Sequence, residues 1–434
     1  MRLTILGGGG FRVPLIHRAL ARRPELGVTD LLLYDVSPDR LRVIAAVLDQ
    51  SAGPRVHLTD SLEQALVAAD FVFSAFRVGG AEGRVADEQR ALRHGLIGQE
   101  TVGAGGLAYA LRTLPVARAI ARAVAEHAPD AWLINFTNPA GLITEASRAV
   151  LGDRVIGICD SPSGLVTRAQ RAAGAAPDAV ADYAGINHLG WLRSLIVDGV
   201  DRLPPLLADD MALASFEEGR LFEPALLRQL AALPNEYLYF YYYSRTVLAS
   251  LQQSGTRGEF LAAEQAAFYS SATTENAPAL WEQTRLRREQ SYFAEARTEE
   301  RDESDLAGGG YERVALRLMQ ALAGGGSTEL ILNVANGSSF DQLAPELVVE
   351  TRCLVDADGA RPEPAAPFTL HQLGLIGSVR ASERLMRQAS ETGSREAAVA
   401  GFATHPLIAD EQIARKLLDD LLVDVPDLLD QRGN

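Results

Sequence analysis

Short apolar runs and longer amphipathic stretches alternate along the first 160 residues. RLTIL at 2–6 is an apolar run followed by GGGG and then by FRVPLIHRALARR, whose apolar positions recur at helical spacing. DLLLYD at 30–35 reads as a second strand ending in an acid. ADFVFSAF, AWLINFTN and RVIGICD supply a third, fourth and fifth strand, with LRVIAAVLDQSA and LPVARAIARAVAEHA as intervening helices. Strands that alternate with helices in this way predict an α/β fold, a Rossmann-like doubly wound parallel sheet.

The pattern changes after about residue 180. DYAGINHLGWLRSLIVDG alternates as paired strands do, with a turn at DG. Beyond about residue 200 the chain reads as mostly helical, broken at GTRGE and AGGG, and AEARTEERDESDLAGGG at 294–310 reads as a solvated loop. Two units are expected: a dinucleotide-binding domain over 1–195, and a mostly helical α+β domain over 196–434 for substrate and subunit contacts.

Composition narrows the partners. Hydrophobic residues make up 47% of the 434, enough for a large core, and the formal net charge is -15. That charge argues against nucleic acid or an anionic membrane as the main partner, while local arginines can still bind a small anion. No apolar run is long enough to cross a bilayer. The start, MRLTILGGGG, reads as a first strand and not as a signal peptide. With only Cys159 and Cys353, no disulfide framework is available, and a reducing, cytoplasmic setting is expected.

Gly7, Gly8, Gly9 and Gly10 sit between a strand and a helix, the context in which a backbone approaches a pyrophosphate at a helix N-terminus. Gly8 and Gly10 have the fingerprint spacing, but Val13 stands where a third glycine is usual. Asp35, at the end of the second strand, stands where an acid binds the adenosine ribose hydroxyls, and favours NAD over NADP because it would repel a 2′-phosphate.

Cys159 ends a strand on the side that faces the ligand crevice, with Asp160 beside it, and His188 lies in GINHLGW. A thiolate and an imidazole can share a divalent transition metal, leaving positions open to water or substrate. The competing reading is a small buried cysteine and a histidine satisfied by a carbonyl. NEYLYFYYYSR carries Tyr237, Tyr239, Tyr241, Tyr242 and Tyr243, with Tyr237 and Tyr241 on one face if the segment is one helix. Arg12, Arg77, Arg84 and Arg257 lie in strand-end or glycine-rich contexts that suit phosphate or carboxylate binding.

GLIGQETVGAGGLAYALRT, LINFTNPAGLITEASR, GICDSP, GINHLGW and LNVANGSSFDQLAPELVVETRCLVDADG, in this order, resemble family 4 glycoside hydrolases, and among them the 6-phospho-β-glucosidases. The resemblance runs from the first strand to about residue 400. It implies a lactate/malate dehydrogenase-like fold, dependence on NAD and a divalent metal, usually Mn2+, and a homodimer or homotetramer. This family is the NAD-dependent exception to two-carboxylate glycoside hydrolysis. Its chemistry runs by transient oxidation at the sugar C3, loss of the C2 proton, elimination of the C1 oxygen and addition of water.

Carried onto this chain, the resemblance makes Cys159 and His188 the metal ligands. Asp160 becomes the general acid and Tyr237 the base, twenty residues before Arg257 as the family pattern has it. A phenol with a pKa of about 10 needs nearby positive charge to act as a base at neutral pH. Arg84, Asn138 and Arg257 match substrate-binding positions. Arg12 departs from the serine and threonines found after the glycine turn in many members, and reads as an additional phosphate ligand. The substrate implied is a phosphorylated disaccharide such as cellobiose 6-phosphate. An α-linked or unphosphorylated glucoside, a hydroxyacid dehydrogenase activity and an inactive NAD-binding sensor stay open at this point.

Overall fold

A computed structural model of the chain describes residues 1–48, 52–176, 179–291 and 310–430. The expected solvated loop at 294–310 lies outside these residues, apart from Gly310. No helix among them is long and apolar enough to cross a membrane.

Six strands carry the first half: β1 (Arg2–Leu6), β2 (Asp30–Tyr34), β3 (Arg55–Thr59), β4 (Phe71–Ser74), β5 (Trp132–Asn135) and β6 (Val155–Gly157). All pair in parallel, in the order β3-β2-β1-β4-β5-β6. This is the doubly wound dinucleotide-binding order, with its switch point between β1 and β4. β1 and β4 are apolar and buried almost throughout, as strands covered on both faces must be. β3 was not anticipated: RVHLT is an edge strand, largely exposed, and has no continuous apolar run to betray it.

The second half joins the same sheet. β7 (Val180–Ile186), β8 (Leu189–Val197), β9 (Val200–Asp201), β10 (Leu233–Pro234), β11 (Thr328–Ala335), β12 (Val348–Asp356) and β13 (Gly359–Pro362) complete it. β11 pairs antiparallel with β6 through Asn333 and Gly157, and the order runs on as β12, β7, β8 and β10. One continuous sheet therefore passes from parallel to antiparallel at β6. The 195/196 boundary expected between two domains falls inside β8, and the hairpin turn anticipated at DG joins β8 to β9 through Asp198 and Gly199.

Helices from the second half cover the glycine turn of the first. Tyr269, on the helix Arg257–Ser271, donates to the Gly9 carbonyl at 2.7 Å. Trp281, fully buried on the helix Ala277–Gln290, donates to the Phe11 carbonyl at 2.9 Å. Tyr311, on the helix Gly310–Leu322, donates to the Arg12 carbonyl at 2.7 Å. One apolar core thus holds Leu3, Ile5, Leu31 and Phe73 together with Trp281, Tyr311 and Leu332. A second surrounds the β7–β8 hairpin, with Tyr183, Trp191 and Phe240.

Candidate active site

Backbone sterics shape the glycine turn. Gly7 has φ +90°, and a Cβ on it would come within 2.7 Å of the Ala75 carbonyl oxygen. A Cβ at Gly8 would lie 2.7 Å from Leu33 Cβ, and one at Gly10 2.8 Å from the Gly7 oxygen. The carboxylate of Asp35 braces the turn: it accepts from the Gly9 N–H and the Ser37 N–H, each at 3.0 Å. Each oxygen keeps a further lone pair, so the same carboxylate can still accept from ribose hydroxyls. The turn is thus a cradle that only glycine can line, of the shape a pyrophosphate needs.

The sequence-derived metal pair does meet in space. Cys159 follows β6 at its carboxyl end, and His188 occupies the two-residue turn between β7 and β8. Cys159 Sγ lies 3.8 Å from His188 Nε2, and both side chains are buried. Bonds of metal–sulfur and metal–nitrogen length at a tetrahedral angle put the two ligand atoms about 3.6 Å apart, so the donor set fits one shared ion. His188 has φ +126°, a region where a non-glycine residue is strained by about 1–3 kcal/mol. A glycine would fit that turn at lower cost, so the imidazole is what the position retains.

Burial sets the charge of the pair. It pulls the His188 imidazole down to about 3, which keeps Nε2 free to ligate. It also pushes the Cys159 thiol well up, helped by Glu350 and Asp160. Glu350 orders the turn from behind: it accepts from Asn333 Nδ2 at 2.9 Å and from Asn187 Nδ2 and Tyr183 Oη, each at 3.2 Å. Asn187 Oδ1 in turn accepts from the Ala140 N–H at 3.1 Å.

Tyr237 stacks on His188, ring centroids 3.8 Å apart and planes within 5°. The tyrosine run is not one helix: Glu236–Leu238 is a single 3-10 turn, and a short helix follows over Tyr239–Tyr242. Tyr237 therefore parts from Tyr241, which lies near His405 with centroids 6.2 Å apart, while Tyr239 and Tyr243 do share a face at 4.8 Å. Asn235 fixes the turn by accepting from the Tyr237 N–H at 3.1 Å. Sequence reasoning passed over Glu236, which accepts from Ser161 Oγ at 2.5 Å and so ties the Tyr237 turn to the helix that follows Asp160. Burial and neighbouring Glu218 push Glu236 up to about 8.

Asp160 is 36% exposed and lies 3.9 Å from the Arg12 guanidinium, which also rests over the rings of Tyr311 and Phe136 at 5.1 and 5.4 Å. Arg84 is buried; Nε donates to Glu88 at 2.7 Å and Nη1 lies 3.0 Å from Glu100. Arg257 Nη2 donates to the Arg288 carbonyl at 3.1 Å and Nη1 to the Ser291 carbonyl, so it caps the end of the helix Ala277–Gln290. Glu100 is the hub that sequence reasoning missed. Burial opposes its charge, but Arg77, Arg84, Arg257 and Arg12 outweigh that and hold it down to about 2. Its only sequence signal was its place inside GQETVG. Asn138 stands half-buried beyond the end of β5, before a cis bond to Pro139.

Two family profiles match the chain: Family 4 glycosyl hydrolase over residues 2–174, and Family 4 glycosyl hydrolase C-terminal domain over residues 183–408. The chain belongs to glycosyl hydrolase family 4. Among curated relatives of this family 4 chain, a probable 6-phospho-beta-glucosidase of Bacillus subtilis is 28% identical, over 97% of this chain and 95% of that one. A 6-phospho-alpha-glucosidase of Lacticaseibacillus paracasei is 27% identical, over 97% of this chain and 96% of its own. Among solved structures, a 6-phospho-beta glucosidase of Thermotoga maritima with manganese, NAD+ and glucose-6-phosphate superposes with a TM-score of 0.84. It is 25% identical and covers 99% of each chain.

Proposed function

We propose that this chain hydrolyses 6-phospho-β-glucosides to glucose 6-phosphate and an alcohol or sugar, with NAD+ and a divalent cation such as Mn2+ as cofactors. The observation that carries the reading is the meeting of Cys159 Sγ and His188 Nε2 at 3.8 Å, with the Tyr237 ring stacked on that imidazole. When bound, NAD+ supplies a hydride acceptor for the sugar C3 and the cation supplies Lewis acidity at the sugar oxygens. Cys159 and His188 would hold the cation. Gly7–Gly10 would admit the pyrophosphate and Asp35 the ribose hydroxyls.

Within that frame the side chains move two protons. Tyr237 Oη takes the proton from C2, and Asp160 gives one to the departing C1 oxygen. Arg12, Arg84, Asn138 and Arg257 hold the phosphorylated sugar, the guanidiniums matching phosphoryl oxygens in charge and shape. Glu100 tethers that cationic wall.

The β linkage is the finer part of the reading, because relatives named for α and β substrates stand at 27% and 28% identity. Paired α- and β-nitrophenyl glucosides, each with and without a 6-phosphate, test it under NAD+ and Mn2+. The expected result is turnover of the β 6-phosphate alone, abolished by chelation and restored by Mn2+, with solvent deuterium entering at C2. Full-rate cleavage without NAD+ or metal overturns the reading. Preference for the α 6-phosphate replaces the β assignment.

A further inference from the structure

Arg288 is half-buried, with its Nη1 fully enclosed, and none of the steps above uses it. It lies near the end of the helix Ala277–Gln290, with its guanidinium carbon 4.3 Å from the centre of the Phe11 ring. Phe11 directly follows the glycine turn. On its other side the Arg288 carbonyl accepts from Arg257 Nη2 at 3.1 Å. The residue thus stands between the cradle for a dinucleotide and the arginines assigned to the sugar.

Its surroundings leave it short of an anion. Arg288 Nη1 is buried and, among the described residues, has no hydrogen-bond partner. Arg84 has Glu88 and Glu100, and Arg77 has Glu100. No carboxylate among the described residues forms an ion pair with Arg288. Burial, together with the like charges of Arg12, Arg257 and Arg84, pulls its proton affinity down to about 9, so the guanidinium pays for its position. A guanidinium carries five donors in a planar fork and has no acceptor, so one with an enclosed, unmatched donor calls for an oxyanion.

We infer that Arg288 is a phosphate-binding residue of this crevice, its buried Nη1 aimed at phosphoryl oxygens between the glycine turn and Arg257. The inference rests on the proposed function, which brings two phosphoryl sources to the crevice: the dinucleotide pyrophosphate and the sugar 6-phosphate. Phe11 supports the guanidinium from below as a cation–π surface, which fixes its plane without satisfying its donors.

The test uses the full chain and measures NAD+ and glucose 6-phosphate affinities separately by calorimetry, with Mn2+ present, for the parent, Arg288→Gln and Arg288→Lys. Loss of one charged hydrogen bond should weaken binding by about 10- to 100-fold in Arg288→Gln, with partial recovery in Arg288→Lys. A loss confined to NAD+ assigns the pyrophosphate, and one confined to glucose 6-phosphate assigns the sugar. Loss of both assigns a contact shared by the two. Unchanged affinities for both ligands overturn the inference. So do equal losses in both variants with a lowered melting temperature, which would make Arg288 a packing residue on Phe11. Failure of the parent to bind either ligand defeats the proposed function instead.

Discussion

The two ends of the crevice use burial in opposite ways. Around Cys159 and His188, burial suppresses charge: the imidazole stays neutral and the thiol keeps its proton. Around Glu100, burial gathers charge: one carboxylate stands among Arg12, Arg77, Arg84 and Arg257, with Arg288 close by. The first end is a pair of uncharged groups that becomes a ligand set only as the thiol gives up its proton to an arriving cation. The second carries positive charge in excess of its acids. Two charge-poor ligands and a surplus of guanidiniums suit a cation at one end and a phosphate at the other. A sugar bound between them would have its reacting carbons at the dry end and its anionic tail at the charged one.

Removing the thiol at the dry end is expected to do great damage. Cys159→Ser should lower kcat/KM by more than about 100-fold, since even outer-shell partners of a metal cost 10- to 100-fold. Initial rates across a Mn2+ titration check it; full recovery at high Mn2+ would remove Cys159 from the ligand set. Comparable in size is Tyr237→Phe, which keeps the ring stacked on His188 and removes only the hydroxyl. Its kcat should fall by about 100- to 10,000-fold with KM little changed, and solvent deuterium should cease to enter C2. An unaltered exchange rate would move the base elsewhere.

The smallest effect concerns His405, buried beside Tyr241 and pulled down to about 3 by burial. Its folded pKa lies below the ordinary 6.5, so the unfolded chain binds a proton there that the folded chain refuses. Stability attributable to neutral His405 is therefore complete above pH 6.5 and drains away as pH falls towards 3, by at most about 1.4 kcal/mol per pH unit. Denaturant midpoints of the parent and of His405→Gln between pH 7 and 4 should converge as the pH falls. Parallel curves would mean that the site is wetter than its burial indicates.

Much of the dry end was legible in the sequence because it is built locally. Cys159 follows an apolar strand, and His188 sits where two alternating strands reverse. The parallel strand order follows from strand–helix alternation, with β3 hidden by its exposed, polar edge pattern. The charged end was less legible because long-range contacts make it. Arg84 shows its pair with Glu88 at helical spacing, but Glu100 joins it through a turn and Arg257 through the carbonyls of another helix. Arg288 gave no signal in a sequence already rich in arginine, because only the packing of its helix beside Phe11 encloses its Nη1. The union of β6 with β11 was hidden for the same reason: it joins residues far apart in the chain.

That union also fixes an order of events during synthesis. Gly157 of β6 pairs with Asn333 of β11, 176 residues later. At about 5–20 residues per second, a ribosome needs roughly 10 to 35 s to deliver the partner strand. Until then the nascent parallel sheet ends in an open apolar edge at β6, the kind of edge on which chains aggregate. Cys159 lies two residues past the end of the same strand. The growing chain therefore exposes Cys159 long before the sheet beside it can close, and slowed elongation between 160 and 330 should cost soluble yield more than slowing elsewhere.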